Sequence, residues 1–543
     1  MGRLRFTLTN IMFWVVLLLS CFLAENYALF TGAPRSGFDS FALYFLTFAI
    51  IALLILYYFT EHKKNGLTFD KILLPAFIMI GVLLIWTIFR QGSRTFYTVD
   101  NEDTFTITFT LGERMLASLQ VVIWLAVLYA IVFVYNRLRL NLESYRWIPK
   151  IYLILVLVFC VIDIFYEWGT IKGIFAGTNS KKGVEFIFGN ENVWALVMFS
   201  GILTALILSY KRFSWYYFTA MICIFLYMHL TCSATCIYIC LIGLIIYPGY
   251  EVYCVFRKNV KKGIKVSIIY IVTLAAVFGL FALFVKLGVT VFVNYWKFVR
   301  KNILDKDFAT ITGRTKIWGH IIDLLKQNPL DFIFGLGHRT SIKIFQSYYH
   351  RRMALKSAHN GIMEIFLRYG LLGVIIYGTM LLTVIYCLVL HAIRKRYRFM
   401  VIYSMAFLAL LAHSVSESTN FFTPNVGGVY FGMYFLLPIL NILQNKKFKE
   451  LKDDVKATKV KKEKVPKWFY VAVAVFTFAC ILIAKVINNL SNIDTFSSVV
   501  IILALVMAAF FALIVTDNKV IDALNTKMFI HYVRRLEAKK YEK

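Results

Sequence analysis

The stretch IKVSIIYIVTLAAVFGLFALFVK, residues 264–286, carries no charged residue between Lys265 and Lys286. About 20 apolar residues are enough to cross a bilayer as a helix, the conformation that lets a single segment satisfy its own backbone polar groups in hydrocarbon. Runs of this kind recur along the whole chain. Working outward from 264–286 gives fourteen of them, at 10–30, 41–60, 72–89, 114–135, 148–166, 192–209, 213–229, 234–253, 264–286, 369–390, 400–413, 427–444, 467–487 and 496–515. The 543 residues are 60% hydrophobic and 16% charged, whereas soluble domains carry about 25% charged residues. A soluble globular enzyme and a disordered chain are thereby excluded. Nine cysteines, all in or beside apolar runs, are too sparse for a disulfide-stapled scaffold. No strand alternation competes with the apolar runs, so the expected fold is all-α: a polytopic integral membrane protein of about fourteen transmembrane helices.

Charge placement orients these spans. With the N-terminus on the cytoplasmic side, the short inside segments hold twenty Lys and Arg and the short outside loops hold six. Cytoplasmic loops accumulate Lys and Arg, so both termini are expected inside. Met1 to Arg5 resembles the start of a signal segment, but the run that follows is long and reads as an uncleaved anchor. The lysine-rich segment 445–466 reads as a basic cytoplasmic linker. It divides a twelve-span core, 1–444, from two further spans in 467–515 and a basic tail, 516–543. The formal charge of +30 is accounted for by loops at a membrane, and no nucleic-acid partner is expected.

One connection breaks the pattern of short loops. Between the ninth and tenth spans, residues 287–368 leave the membrane on the outside face. They carry thirteen Lys and Arg against five Asp and Glu. A positive excess on the outside runs against the topology rule and points to an anionic substrate. Within this loop Gly313-Arg314-Thr315-Lys316-Ile317-Trp318-Gly319-His320 leads into Ile321, Ile322, Leu324 and Leu325, closed by Asn328-Pro329. That pattern predicts a short amphipathic helix lying in the membrane interface, with cations at its start. Gly335-Leu336-Gly337 predicts a tight turn with close backbone approach. After Ser357-Ala358-His359-Asn360-Gly361, Asn360, Glu364 and Arg368 fall at i, i+4 and i+8 on one helical face. Ionisable groups at membrane depth are costly unless used, so His359 is read as functional.

In this order, with Tyr369-Gly370-Leu371-Leu372-Gly373 after the histidine, the motifs resemble the bacterial O-antigen ligase and O-antigen polymerase superfamily. Gly189-Asn190-Glu191-Asn192 at the sixth span and His413-x-x-x-Glu417 at the end of the eleventh fit the same pattern. The resemblance covers residues 180–440. One position departs from it: the family often has an arginine after a Thr/Ser pair where this chain reads Thr231-Cys232-Ser233-Ala234-Thr235. Arg90, Arg94, Lys181 and Lys182 are candidates to replace it.

The resemblance implies a membrane glycosyltransferase that polymerises or ligates undecaprenyl-diphosphate-linked glycan repeats at the outer face of the inner, cytoplasmic membrane. Its partners would be the lipid-linked oligosaccharide, membrane lipids and other polysaccharide assembly proteins. Such a reaction needs a base for the acceptor hydroxyl, for which His359 is the candidate, and cations for the diphosphate, for which Arg314 and Arg339 are the candidates. Asn360 and Glu364 could orient His359 or the sugar. His413 and Glu417 could approach from the next outside loop, and Asn190 and Asn192 complete the substrate-binding set. No metal and no cofactor is expected. Asp305-Lys306-Asp307 has carboxylate spacing but an intervening lysine, and Asp100, Glu102 and Asp103 read as exposed. Cys232, Cys236 and Cys240, at i, i+4 and i+8, read as small packing residues rather than a thiolate site. The competing class is a flippase for lipid-linked oligosaccharide. It would show two related halves and helices broken at mid-membrane, neither of which the sequence displays.

Overall fold

The computed structural model describes residues 94–97, 104–111, 147–179, 183–186, 191–209, 213–305, 314–337, 358–395 and 398–417, with single positions at 81, 82, 85, 86, 341, 344, 345, 348, 475 and 479. The expected spans at 10–30, 41–60, 114–135, 427–444 and 496–515 lie outside the described residues, as do all but a few positions of 72–89 and 467–487.

The described residues are mostly helical. Among the described residues, five helices are long and apolar enough to cross a membrane. They are α1, Trp147–Tyr166; α3, Glu191–Leu208; α5, Ala234–Lys258; α6, Val260–Lys286; and α10, Gly361–Lys395. Two shorter apolar helices accompany them: α4, Trp215–Met228, and α11, Arg398–Ser416. These bounds fall within a few residues of the apolar runs for the fifth to ninth and the eleventh spans. For the tenth, α10 is two helical parts joined at a break at Gly370: the part after the break coincides with the run at 369–390, and the part before it carries Glu364 and Arg368.

Burial orders the bundle. Every residue of α3 from Trp194 to Leu208 is buried, as befits a helix apolar on all sides. It packs against α1 and α4, and α11 packs on α10, α5 and α3. Polar staples join these helices internally. Asp163 of α1 accepts hydrogen bonds from Trp194 Nε1 at 2.7 Å and from the Tyr227 hydroxyl of α4 at 2.8 Å. A buried carboxylate is tolerated in such surroundings only when it is bonded in this way. By contrast α6 packs mainly on α5 and exposes most of its side chains, as expected of a lipid-facing helix. It turns into α7, Thr290–Val299, whose Asn294 donates to the Phe175 carbonyl of α2, Trp168–Ala176.

Two features correct the sequence reading. The fold is not purely helical: β1, Arg94–Tyr97, pairs antiparallel with β2, Thr104–Ile107, in register Phe96 to Phe105. The Thr, Phe, Tyr and Ile of these strands favour a pleated, half-buried surface. The acidic cluster 100–103 lies between them, outside the described residues. Nor does the helix after Gly313 lie bare in the membrane interface. This helix, α8, Arg314–Lys326, buries Ile317, Ile321, Leu324 and Leu325 against Phe96, Ile107, Phe109, Phe345 and Leu367. Gln327 fixes the hairpin to it, accepting from the Tyr97 amide at 3.0 Å and donating to the Tyr97 carbonyl at 3.1 Å. The hairpin, α8 and the start of α10 thus form a cap with its own apolar core.

Candidate active site

The cap positions the site through a lock between two backbone segments. Asn328 caps the short helix α9, Pro329–Phe334: its side chain accepts from the Leu330 amide, and Pro329 takes the first helical position, where no amide is needed. The helix ends at Gly335, with φ 75°. In α10, Gly370 breaks the helix with φ 64° and ψ −164°. The Leu367 and Arg368 carbonyls next to this break accept instead from Leu336 N at 2.9 Å and Gly337 N at 3.1 Å. The two chains are in contact here. A Cβ at Gly335 would lie 2.3 Å from the Arg368 carbonyl carbon, and one at Gly370 would lie 2.4 Å from that of Ile333. The paired glycine motifs in the sequence are two halves of one contact.

Just upstream, α10 opens on Asn360. Its side-chain oxygen accepts from the Ile362 and Met363 amides at 2.9 Å each, which makes it an N-cap. Its Nδ2 donates to the Val415 carbonyl of α11 at 2.8 Å. His359 precedes it with φ 49°, in the left-handed region that a side chain with a Cβ rarely adopts. Ala358 is held through both of its backbone polar groups, its amide donating to Glu364 Oε2 at 2.7 Å and its carbonyl accepting from Trp318 Nε1 at 3.1 Å. Glu364 is fully buried and its Oε1 accepts from Arg368 Nε at 2.6 Å.

Glu417, at the end of α11, lies between the cation and the imidazole. Its Oε1 accepts from Arg314 Nη2 at 2.9 Å, and its Oε2 lies 3.3 Å from His359 Nδ1. Arg314 Nη1 donates to the Ser416 carbonyl. Burial pushes the Glu417 carboxyl up, but the His359 hydrogen bond and the charges of Arg314, His359 and His413 outweigh it and hold it down at about 2. His359 keeps about a third of its side chain exposed and Arg314 much less, so the imidazole forms the open edge of the group.

Of the residues singled out in the sequence, Arg314, His359, Asn360, Glu364 and Glu417 therefore come together. Asn360 and Glu364 do so through backbone caps and buried pairing, not through faces open to a sugar. His413 is buried within α11 and stacks on Phe199 of α3, ring centroids 5.2 Å apart. Asn192 stands in the first turn of α3, beside Glu191, which accepts from the Gly183 amide at 2.6 Å. Asn190, Arg339, Lys181, Lys182 and Asp307 lie outside the described residues. The stretch without the family arginine is joined to the site through Ser416. Ser416, whose carbonyl takes Arg314, donates its hydroxyl to Thr235 Oγ1 at 3.0 Å. Among the described residues, no group of three or more His, Cys, Asp or Glu could hold a metal ion.

Sequence reasoning missed Trp318 as a contact. The available signal was its spacing, one helical turn after Arg314 on α8. It also missed Asn360 as a cap, although an Asn immediately before an apolar helical run is a helix-start signal.

A helical membrane protein with a cap that gathers a guanidinium, a carboxylate and an imidazole is the class that this fold and site define. Residues 195–378, about a third of the chain, match the model of the O-antigen ligase family. That segment, which holds Arg314, Trp318, His359 and Glu364, is similar to the O-antigen ligase family and supports the resemblance to the O-antigen ligase and polymerase superfamily. No curated protein and no solved structure matches the chain.

Proposed function

We propose that the protein is a glycosyltransferase that moves glycan from an undecaprenyl-diphosphate-linked donor to an acceptor hydroxyl at the outer face of the cytoplasmic membrane. The observation that carries this reading is Glu417 placed between Arg314 and His359. With Nδ1–H directed at Glu417, His359 holds its lone pair on Nε2. That nitrogen takes the proton of the acceptor hydroxyl as its oxygen attacks the anomeric carbon. The bond from that carbon to the diphosphate oxygen breaks, and the diphosphate leaves on its lipid. Arg314 places positive charge where the leaving group gains negative charge, and a guanidinium offers phosphate several charge-assisted hydrogen bonds. Arg339 is a second cation for the same group.

The wider organisation supports the same reading. In this reading, drawn from the Lys and Arg distribution of the sequence, a core of twelve spans in 1–444, a cytoplasmic linker at 445–466, two further spans in 467–515 and inside termini leave the cap and its site on the outer face. Asn190 and Asn192 are read as contacts for the glycan. We place polymerisation ahead of ligation, since no motif of the sequence reads as a binder of a large lipid acceptor. Deletion of the gene, followed by analysis of surface polysaccharide and lipid-linked intermediates, is the test. Loss of long chains with single repeats retained is the expected result. Long chains stranded on undecaprenyl diphosphate would mean ligation, and repeats held on the cytoplasmic face would replace the reading with transport.

A further inference from the structure

We propose that Trp318 and Glu364 are positioning residues that act on His359 through the backbone of Ala358, an inference that rests on the reading of His359 as the base. His359 is held at φ 49°. A non-glycine residue stays in that region only where its surroundings over-determine it. Both of its neighbours are fixed. On the C-terminal side, Asn360 caps α10 and bonds to Val415 beside the Glu417 segment. On the N-terminal side, the fully buried Ala358 gives its amide to Glu364 and its carbonyl to Trp318.

Trp318 has a second consequence. It follows Arg314 by one turn of α8, so the helix that presents the guanidinium to Glu417 also grips the peptide that presents the imidazole to the same carboxylate. Removing the indole N–H frees the Ala358 carbonyl and lets the His359 backbone relax, while Arg314 keeps its own bonds. Glu364 works from the other side and is itself held by Arg368, whose carbonyl receives the Gly337 amide. Neither Trp318 nor Glu364 needs to touch substrate for its loss to slow transfer.

The test measures transfer from an undecaprenyl-diphosphate-linked repeat by the full-length protein in detergent. Trp318→Phe keeps an aromatic ring against the cap core and loses the N–H donor together with part of the indole's volume. It should lower kcat by about 10- to 100-fold, the scale of a slightly misplaced reacting group, with KM unchanged within about threefold. Glu364→Leu with Arg368→Met should do the same. Glu364→Gln with Arg368→Met keeps an acceptor for the Ala358 amide and should recover most of the loss. Trp318→Phe with wild-type kcat, or with a loss confined to KM, would overturn the inference while leaving the base untouched. His359→Ala, assayed alongside, separates the two ideas: full activity there removes the base itself.

Discussion

Glu417 is the residue on which the site turns, because it meets both the guanidinium and the imidazole. Its carboxyl is held at about 2, below the ordinary 4.5. A carboxyl with a lower value in the folded state stabilises the fold fully above the unfolded value, and that contribution is lost as pH falls through the folded one. The melting temperature of purified protein should therefore fall more steeply between pH 5 and about 2 than that of Glu417→Gln; parallel curves would contradict the assignment. Arg314 makes a second residue-scale prediction. Arg314→Ala should abolish transfer at normal protein level, since charged hydrogen bonds are worth about 1.5–3 kcal/mol each. Arg314→Lys should restore transfer only in part, because a point charge cannot reproduce the fork. Rates of membrane preparations matched for protein amount check both. The sequence made Arg314, His359 and Glu417 legible as candidates because each stands in a short motif, Gly313-Arg314, His359-Asn360 and His413-x-x-x-Glu417. It could not show that Glu364 faces inward, since a carboxylate on a helix reads alike whether it meets a sugar or a buried arginine.

At the scale of elements, the contact between Gly335 and Gly370 holds the cap on the membrane helices. Gly370→Ala adds a Cβ 2.4 Å from the Ile333 backbone at a positive φ. The backbone conformation alone costs about 1–3 kcal/mol for a residue other than glycine, and the clash adds to it. Less protein should reach the membrane and its melting temperature should drop, as measured by fluorescence-detected size exclusion and thermal unfolding. Gly319→Ala, where an added Cβ meets nothing within 4 Å, is the control. Each glycine motif was visible in the sequence, but their partnership was not. Residues 335 and 370 are far apart along the chain, and no local pattern reports a contact of that kind. The same holds for α8. Its apolar face was legible from spacing, whereas its occupant, a hairpin that begins at Arg94, arrives from a distant segment. Membrane interface and protein core present the same amphipathic signal.

For the whole molecule, hydropathy was the most legible property, because about 20 apolar residues are both necessary and visible. The described helices α1, α3, α4, α5, α6 and α11 fall where those runs predicted. Sidedness is a separate claim and has its own test. Single cysteines introduced near Lys181 and Arg339 should react with a membrane-impermeant thiol reagent on intact cells, and cysteines at Lys262 and Lys462 should not. Labelling at 462 from outside would invert the topology and displace the site.

The central claim is that the imidazole held by Glu417 is the base of glycan transfer. The most direct measurement compares purified wild-type protein with His359→Ala at equal amounts, supplied with an undecaprenyl-diphosphate-linked repeat. Loss of a general base should lower the rate by about 100- to 10,000-fold while the variant remains folded in the membrane. Transfer at the wild-type rate by His359→Ala would contradict the account.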